Sequence, residues 1–377
     1  MDPMRPSRVY SGMTRRLGAV LLCFAVACGG GGKKDKTTPG KKKDEGGQSM
    51  KDNGDPEAPP TGGGGKTGGS GAGSNVAGGG SGAGSANGSG ASEPSDTTPQ
   101  VMYPNLDPDP AQAKTQVDAH LAIAKNALSQ PVPDGDGALK EARIALTYDA
   151  ASVDAAAMVA FAYYHKKLYE TAELVLDDLF KRDSAKNNAE VYYVYGLVYD
   201  KTNRPDRAEL AFEKAVGLDP NHASAMVNLG VHRLQNGQYA EAEQLFERLT
   251  TQFKRTDAIT LTSLGAAYRG RSADFPQGGQ RDGYVVKADG AFKRATKVNS
   301  NYGPAYYNLG LLYLENDPFP GVADPLVRLN AAKGWFDQYK NMPGVDIKLY
   351  DDRMKDVTKL IKREEKKNKK KKKGASD

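Results

Sequence analysis

Residues 189–220 read AEVYYVYGLVYDKTNRPDRAELAFEKAVGLDP, and this stretch decides the fold. It describes two short helices joined by a turn. Gly196 and Ala208 are small, so the two helices can approach closely, while Tyr192, Tyr199 and Phe212 fill the seam between them. Pro220 has no backbone N–H and stops the second helix from continuing, which sets the turn into whatever follows. Tyr195 and Ala215 complete the pattern.

The pattern recurs along the chain. Gly196, Gly230, Gly265 and Gly310 are separated by 34, 35 and 45 residues, so the period holds twice and is then stretched. The second unit keeps Met226, Leu229, Gly230, Ala242, Phe246 and Leu249, with Arg233 where an aromatic is usual. A third has Leu261, Leu264, Gly265 and Tyr268, an insertion, then Ala288, Phe292 and Ala295. The last has Tyr306, Leu309, Gly310 and Tyr313, a second insertion, then Ala332, Phe336 and Tyr339. Two weaker units precede residue 189, one with Val159, Ala160, Tyr163, Ala172, Leu176 and Leu179, the other with Ala138, Ala142 and Ala145 only. A 34-residue helix–turn–helix period resembles the tetratricopeptide repeat (TPR). The expected fold is all-α: a TPR solenoid of about six units over 111–346, preceded by a disordered linker. A capping helix from about Ile347 covers the exposed apolar end.

In TPR proteins the first helices of successive units line a groove. By register, the resemblance places Phe161 and Tyr164, Tyr193 and Leu197, Val227, Asn228, Val231 and Leu234, and Tyr307, Asn308 and Leu311 along it. An apolar groove of this kind suits an amphipathic helix or an apolar peptide. Asn228 and Asn308 match asparagines that bind peptide backbone in the family, whereas the lysines of the family's carboxylate clamp are missing. The chain's own tail helix, 347–361, is the competing occupant. The insertions 270–287 and 315–329 are expected as long loops on one edge, carrying Phe275, Tyr284 and Phe319. They serve either as functional loops or as cover for the adjacent helices.

Composition limits the alternatives. The chain has 377 residues and a net charge of +6, with two cysteines, Cys23 and Cys28, both near the N-terminus. The positive charge sits at the two ends, and the repeat body keeps a small net negative charge, which argues against a nucleic-acid partner. The four histidines, His120, His165, His222 and His232, form no HExxH or Cys/His spacing and read as solvent-facing or turn residues. No nucleophile elbow or phosphate loop is present, so the reading is a non-enzyme with no cofactor, no metal and no small-molecule substrate.

The first 28 residues read as a secretory signal: Arg15-Arg16, then an apolar run from Leu17 to Ala27 too short to span a bilayer. Ala25-Val26-Ala27-Cys28 resembles the lipobox of bacterial lipoproteins, which makes Cys28 the acylated residue; the alternative is an ordinary signal peptide with an incidental cysteine. Gly29 follows where an Asp would mark inner-membrane retention, so the expected location is the outer membrane, with the repeats in the periplasm. Residues 29–110 are rich in Gly, Ser, Lys and Pro and poor in large apolar side chains. They read as a disordered tether with an r.m.s. span of roughly 50 Å. Lipobox, tether and repeats together resemble the TPR lipoproteins of cell-envelope machines. The inserted loop before Arg328-Leu329 is most similar to the myxobacterial adventurous gliding-motility member. The resemblance implies a membrane-tethered adaptor for envelope proteins, in gliding motility or, alternatively, as a pilotin-like assembly factor for a pilus secretin or β-barrel machinery. The Lys-rich segment 366–373, within the terminal region 347–377, is either a solvated charge run or a contact for envelope polymers and lipid head groups.

Overall fold

The computed structural model describes residues 109–373; the expected signal segment with Cys28 and nearly all of the expected tether lie outside the described residues. Twelve helices pair as six antiparallel hairpins, and a thirteenth closes the array. The hairpins are α1 (Pro110–Leu128) with α2 (Gly135–Tyr148), α3 (Val153–His165) with α4 (Tyr169–Leu179), and α5 (Ala189–Lys201) with α6 (Pro205–Leu218). They continue with α7 (Ala223–Gln235) and α8 (Tyr239–Thr251), α9 (Ala258–Ser272) and α10 (Gly279–Val298), and α11 (Gly303–Glu315) and α12 (Pro325–Lys340). The last helix is α13 (Ile347–Lys373). Each second helix also packs on the first helix of the next hairpin. Among the described residues the extended structure is limited to an isolated bridge between Phe319 and Val322.

The hairpin seam repeats with the sequence. A Cβ at Gly196 would sit 2.5 Å from the Phe212 ring, and Gly230, Gly265 and Gly310 meet Phe246, Phe292 and Phe336 at 2.7, 2.6 and 2.5 Å. All four phenylalanines are fully buried, as are Ala208, Ala242, Ala288 and Ala332. The glycines are therefore required by the closeness of the ring, not by backbone conformation. Pro220 lies in the turn that follows α6.

Local signals set the helix starts. Most first helices begin at a side chain that accepts a bond from the orphan N–H groups of the first turn. Ser152 accepts from Ala155 N at 3.2 Å, Asn188 from Glu190 N at 2.9 Å and Asp257 from Thr260 N at 2.9 Å. Between α3 and α4, α5 and α6, and α7 and α8 the chain turns through one left-handed residue, at Lys167 (φ 62°), Asn203 (φ 59°) and Gly237 (φ 74°). In each turn the following N–H reaches back to a carbonyl of the first helix, as in Arg204 N to Tyr199 O at 2.9 Å.

The insertions differ from the loops expected of them. The first is mostly helix: α9 runs to Ser272 and α10 begins at Gly279, leaving a connection of six residues. The second stays irregular but packs down. Phe319 stacks on Tyr313 with ring centroids 4.1 Å apart, and buried Arg328 donates to Tyr313 O at 2.7 Å and Leu314 O at 3.0 Å. Buried Arg281 of α10 donates to Pro318 O at 3.2 Å and to Asn316 Oδ1 at 3.1 Å. Phe275 and Tyr284 stack at 5.5 Å with Arg271 over both rings. These aromatics bind their own neighbours, and the seam glycines and phenylalanines meet across either insertion without change.

The tail helix caps. Tyr350 and Val357 are buried in the C-terminal core and Leu349, Met354 and Ile361 pack against it. Its main contact is with α12, where the first helix of a seventh hairpin would lie, so it covers the end of the solenoid and leaves the faces of α3, α5 and α7 uncovered.

Candidate partner-binding groove

The first helices touch one another as well as their hairpin partners: α3 meets α5, α7 meets α9, and α9 meets α11. This contact divides the sequence-derived groove set. Phe161, Tyr193, Val227, Asn228, Val231 and Asn308 are half-buried. Tyr164, Leu197, Leu234, Tyr307 and Leu311 are buried, between 2% and 7% exposed. The expectation that apolar groove positions lie uncovered is therefore corrected at those five. A side chain on the flank of a first helix is enclosed when the next first helix closes over it, and only the crest positions reach the surface.

At the N-terminal end the crest is aromatic. Phe161 meets Tyr193 edge-on across α3 and α5 at 6.0 Å and meets His165 at 4.6 Å. Tyr193 in turn contacts the His222 ring at 4.7 Å, across α5 and α7. Burial lowers the His165 pKa below that of a free histidine, which favours the neutral ring. His222 caps α7. Its Nδ1 accepts from Ala225 N at 3.1 Å, so the neutral ring carries its proton on Nε2, which faces Glu190 Oε2 at 3.1 Å. The result is a continuous ring surface over three helices, suited to apolar or aromatic side chains of a partner.

The histidines depart from the sequence reading in part. His222 is the turn residue expected. His232 is neither exposed nor in a turn: it is 5% exposed, against Phe212 at 5.7 Å and Asp200 at 3.0 Å, because its place on α7 turns it inward and a carboxylate of α5 satisfies it. His120 pairs with Glu141 at 2.7 Å and stacks on Tyr148. Asn228 and Asn308 donate to the carbonyls of Ser224 at 3.0 Å and Pro304 at 2.8 Å, four residues back on their own helices.

The C-terminal half has a different chemistry. Thr262 Oγ1, Ser263 Oγ and Arg269 Nη1 are buried with no hydrogen-bond partner among the described residues, and the buried Tyr307 hydroxyl lies beside Arg353. Arg269 Nη1 lies 3.7 Å from Glu315 Oε2, an ion pair too long for a hydrogen bond. Burial pushes the Tyr307 hydroxyl up to about 12, and Arg353 and Arg269 pull the other way. Sequence reasoning named none of Thr262, Ser263, Arg269 or Arg353. The signal was present in the register, since Thr262 and Ser263 stand on α9 where Tyr307 and Asn308 stand on α11. Among the described residues, no three His, Cys, Asp or Glu side chains gather as a metal site requires, and no helix is long and apolar enough to cross a membrane.

The tetratricopeptide-repeat family model matches residues 193–255. Among solved structures, PilF of Pseudomonas aeruginosa is 18% identical with a TM-score of 0.47, covering 64% of this chain and 97% of that one. The type IV pilus biogenesis factor PilW is 18% identical with a TM-score of 0.42, covering 66% and 98%. A curated relative, a probable UDP-N-acetylglucosamine–peptide N-acetylglucosaminyltransferase SPINDLY from Hordeum vulgare, is 29% identical over 134 residues. That match covers 34% of this chain and 13% of the relative's length. Among the described residues the fold is a TPR solenoid of six hairpins and a cap, and residues 193–255 match the tetratricopeptide-repeat family model.

Proposed function

We propose that this protein is a lipid-tethered scaffold that holds protein partners of a cell-envelope machine on the first-helix face of its solenoid. The carrying observation is the half-buried aromatic crest of Phe161 and Tyr193, which runs across α3 and α5 with no helix of the described residues packed over it. The small-residue run before Cys28 supports an acyl anchor at the outer membrane. The Gly- and Ser-rich 29–110 segment supports a reach into the periplasm. An adaptor in gliding motility is the reading that the Arg328-Leu329 loop resemblance favours. The scaffold acts by binding and carries out no reaction of its own.

A photo-crosslinking residue at Tyr193 tests this reading, beside a control at Leu210, which is 58% exposed on the second helix of the same hairpin. In intact cells Tyr193 captures discrete envelope proteins that Leu210 does not. Equal capture at both sites, or none at Tyr193, contradicts it.

A further inference from the structure

The last helix does more than cap. Its final contact with the core is Ile361. Beyond it, Lys362–Lys373 continue as the same unbroken helix. These twelve residues hold nine Lys and Arg against Glu364 and Glu365, whereas residues 109–361 hold 31 Lys and Arg against 33 Asp and Glu. At 1.5 Å per residue the extension is a rod about 18 Å long. Lys366, Lys367, Lys369, Lys370 and Lys371 are all exposed, and Lys367 pairs with Glu364 at 2.6 Å. Like charges three and four residues apart oppose the helix, while its C-terminal dipole favours cations. The rod therefore carries a concentrated positive charge that Glu364 and Glu365 offset only in part.

We infer that this rod is a docking surface for an anionic lipid membrane. Three observations select a lipid surface over another polyanion. The rod has one Arg and no aromatic ring, so it lacks the groups that fork onto or stack against bases. Residues 109–361 carry no net positive charge to hold a long polyanion. Beside the rod, Leu326 of α12 lines a shallow hollow with Glu365, Asn368, Lys369 and Lys371, and the next residue, Val327, is 57% exposed. Cations around a half-buried Leu326 and an exposed Val327 form a pattern that binds phosphate head groups and dips an apolar side chain between them. The inference stands apart from the groove and from Cys28, since it needs neither.

The test uses the full chain carrying Cys28→Ala, so that no acyl group can attach, and vesicles of phosphatidylcholine with or without phosphatidylglycerol. The comparison chain adds Lys366, Lys367, Lys369, Lys370 and Lys371→Gln; the apolar segment 17–27 is common to both, so the difference reads the lysines. Binding to the anionic vesicles is expected to fall on the order of 1,000-fold in the glutamine chain, at roughly fivefold for each of the five lysines. It is also expected to weaken with salt and to be weak on phosphatidylcholine alone. Val327→Asp is expected to weaken vesicle binding while leaving binding to a soluble polyphosphate unchanged. Equal vesicle binding by the lysine and glutamine chains overturns the inference. So does binding to polyphosphate or duplex DNA without vesicle binding, or lysine-dependent self-association in sedimentation without vesicle binding.

Discussion

Single residues decide where the first-helix face is greasy and where it is polar. Phe161, Tyr193 and His222 build one surface only because each projects from the crest of a different helix toward the next. His165 lies among them, and its pH response has a definite sign. Burial holds its folded pKa below 6.5, so below about pH 6.5 the unfolded chain binds more protons than the folded one, and stability falls with pH. His165→Gln removes that contribution. The difference in melting temperature between wild type and His165→Gln is expected to shrink as pH falls from about 7.5 to about 5; a constant difference contradicts the assignment. Seam residues were legible in the sequence because Gly196 and Phe212 are forced types at forced spacing. The burial of Leu197 or Leu234 was not, because it depends on how closely the next first helix approaches.

At the scale of elements, the hairpin turn exposes a small defect. Three turns use the same left-handed position, filled by Gly237, by Asn203 and by Lys167. An L-residue with a long side chain is strained there, and Lys167 is exposed, with little packing to lose. Lys167→Gly is therefore expected to stabilise the fold by about 1 kcal/mol in urea unfolding, with the m-value unchanged. Destabilisation contradicts the turn assignment. The units themselves were readable from period alone, insertions included, since the Gly265–Phe292 seam survives the longer connection. The insertions' own conformation was not readable. Gly279, Gly283 and Gly290 discourage a helix in isolation, yet α10 forms, with Val285 and Ala288 buried in the C-terminal core.

The whole molecule combines a solenoid with two ends of opposite character. The N-terminal end carries the expected acyl anchor, and the C-terminal end a charged rod. Cys28→Ala is expected to move the protein from the membrane fraction to a soluble or unprocessed form; unchanged membrane association in low and high salt contradicts acylation at Cys28. The sequence could be read for the order of these parts, because each has its own composition. It could not be read for the split between an aromatic N-terminal crest and a C-terminal half with buried polar groups, which arises from contacts between helices 34 to 45 residues apart.

The central claim is that partners bind the first-helix face, and a double substitution tests it most directly. Leu197 is unsuitable, being 3% exposed, whereas Phe161 and Val231 are half-buried. The measurement is recovery of the protein captured at Tyr193 by the Phe161→Glu, Val231→Glu chain, beside a circular-dichroism melt of the same chain. Each lost apolar contact is worth ~1.5–3 kcal/mol, so recovery is expected to fall by roughly 100-fold or more, with the melt within a few degrees of wild type. Full recovery with a normal melt would contradict binding on this face, and a collapsed melt would show that these crest residues are core.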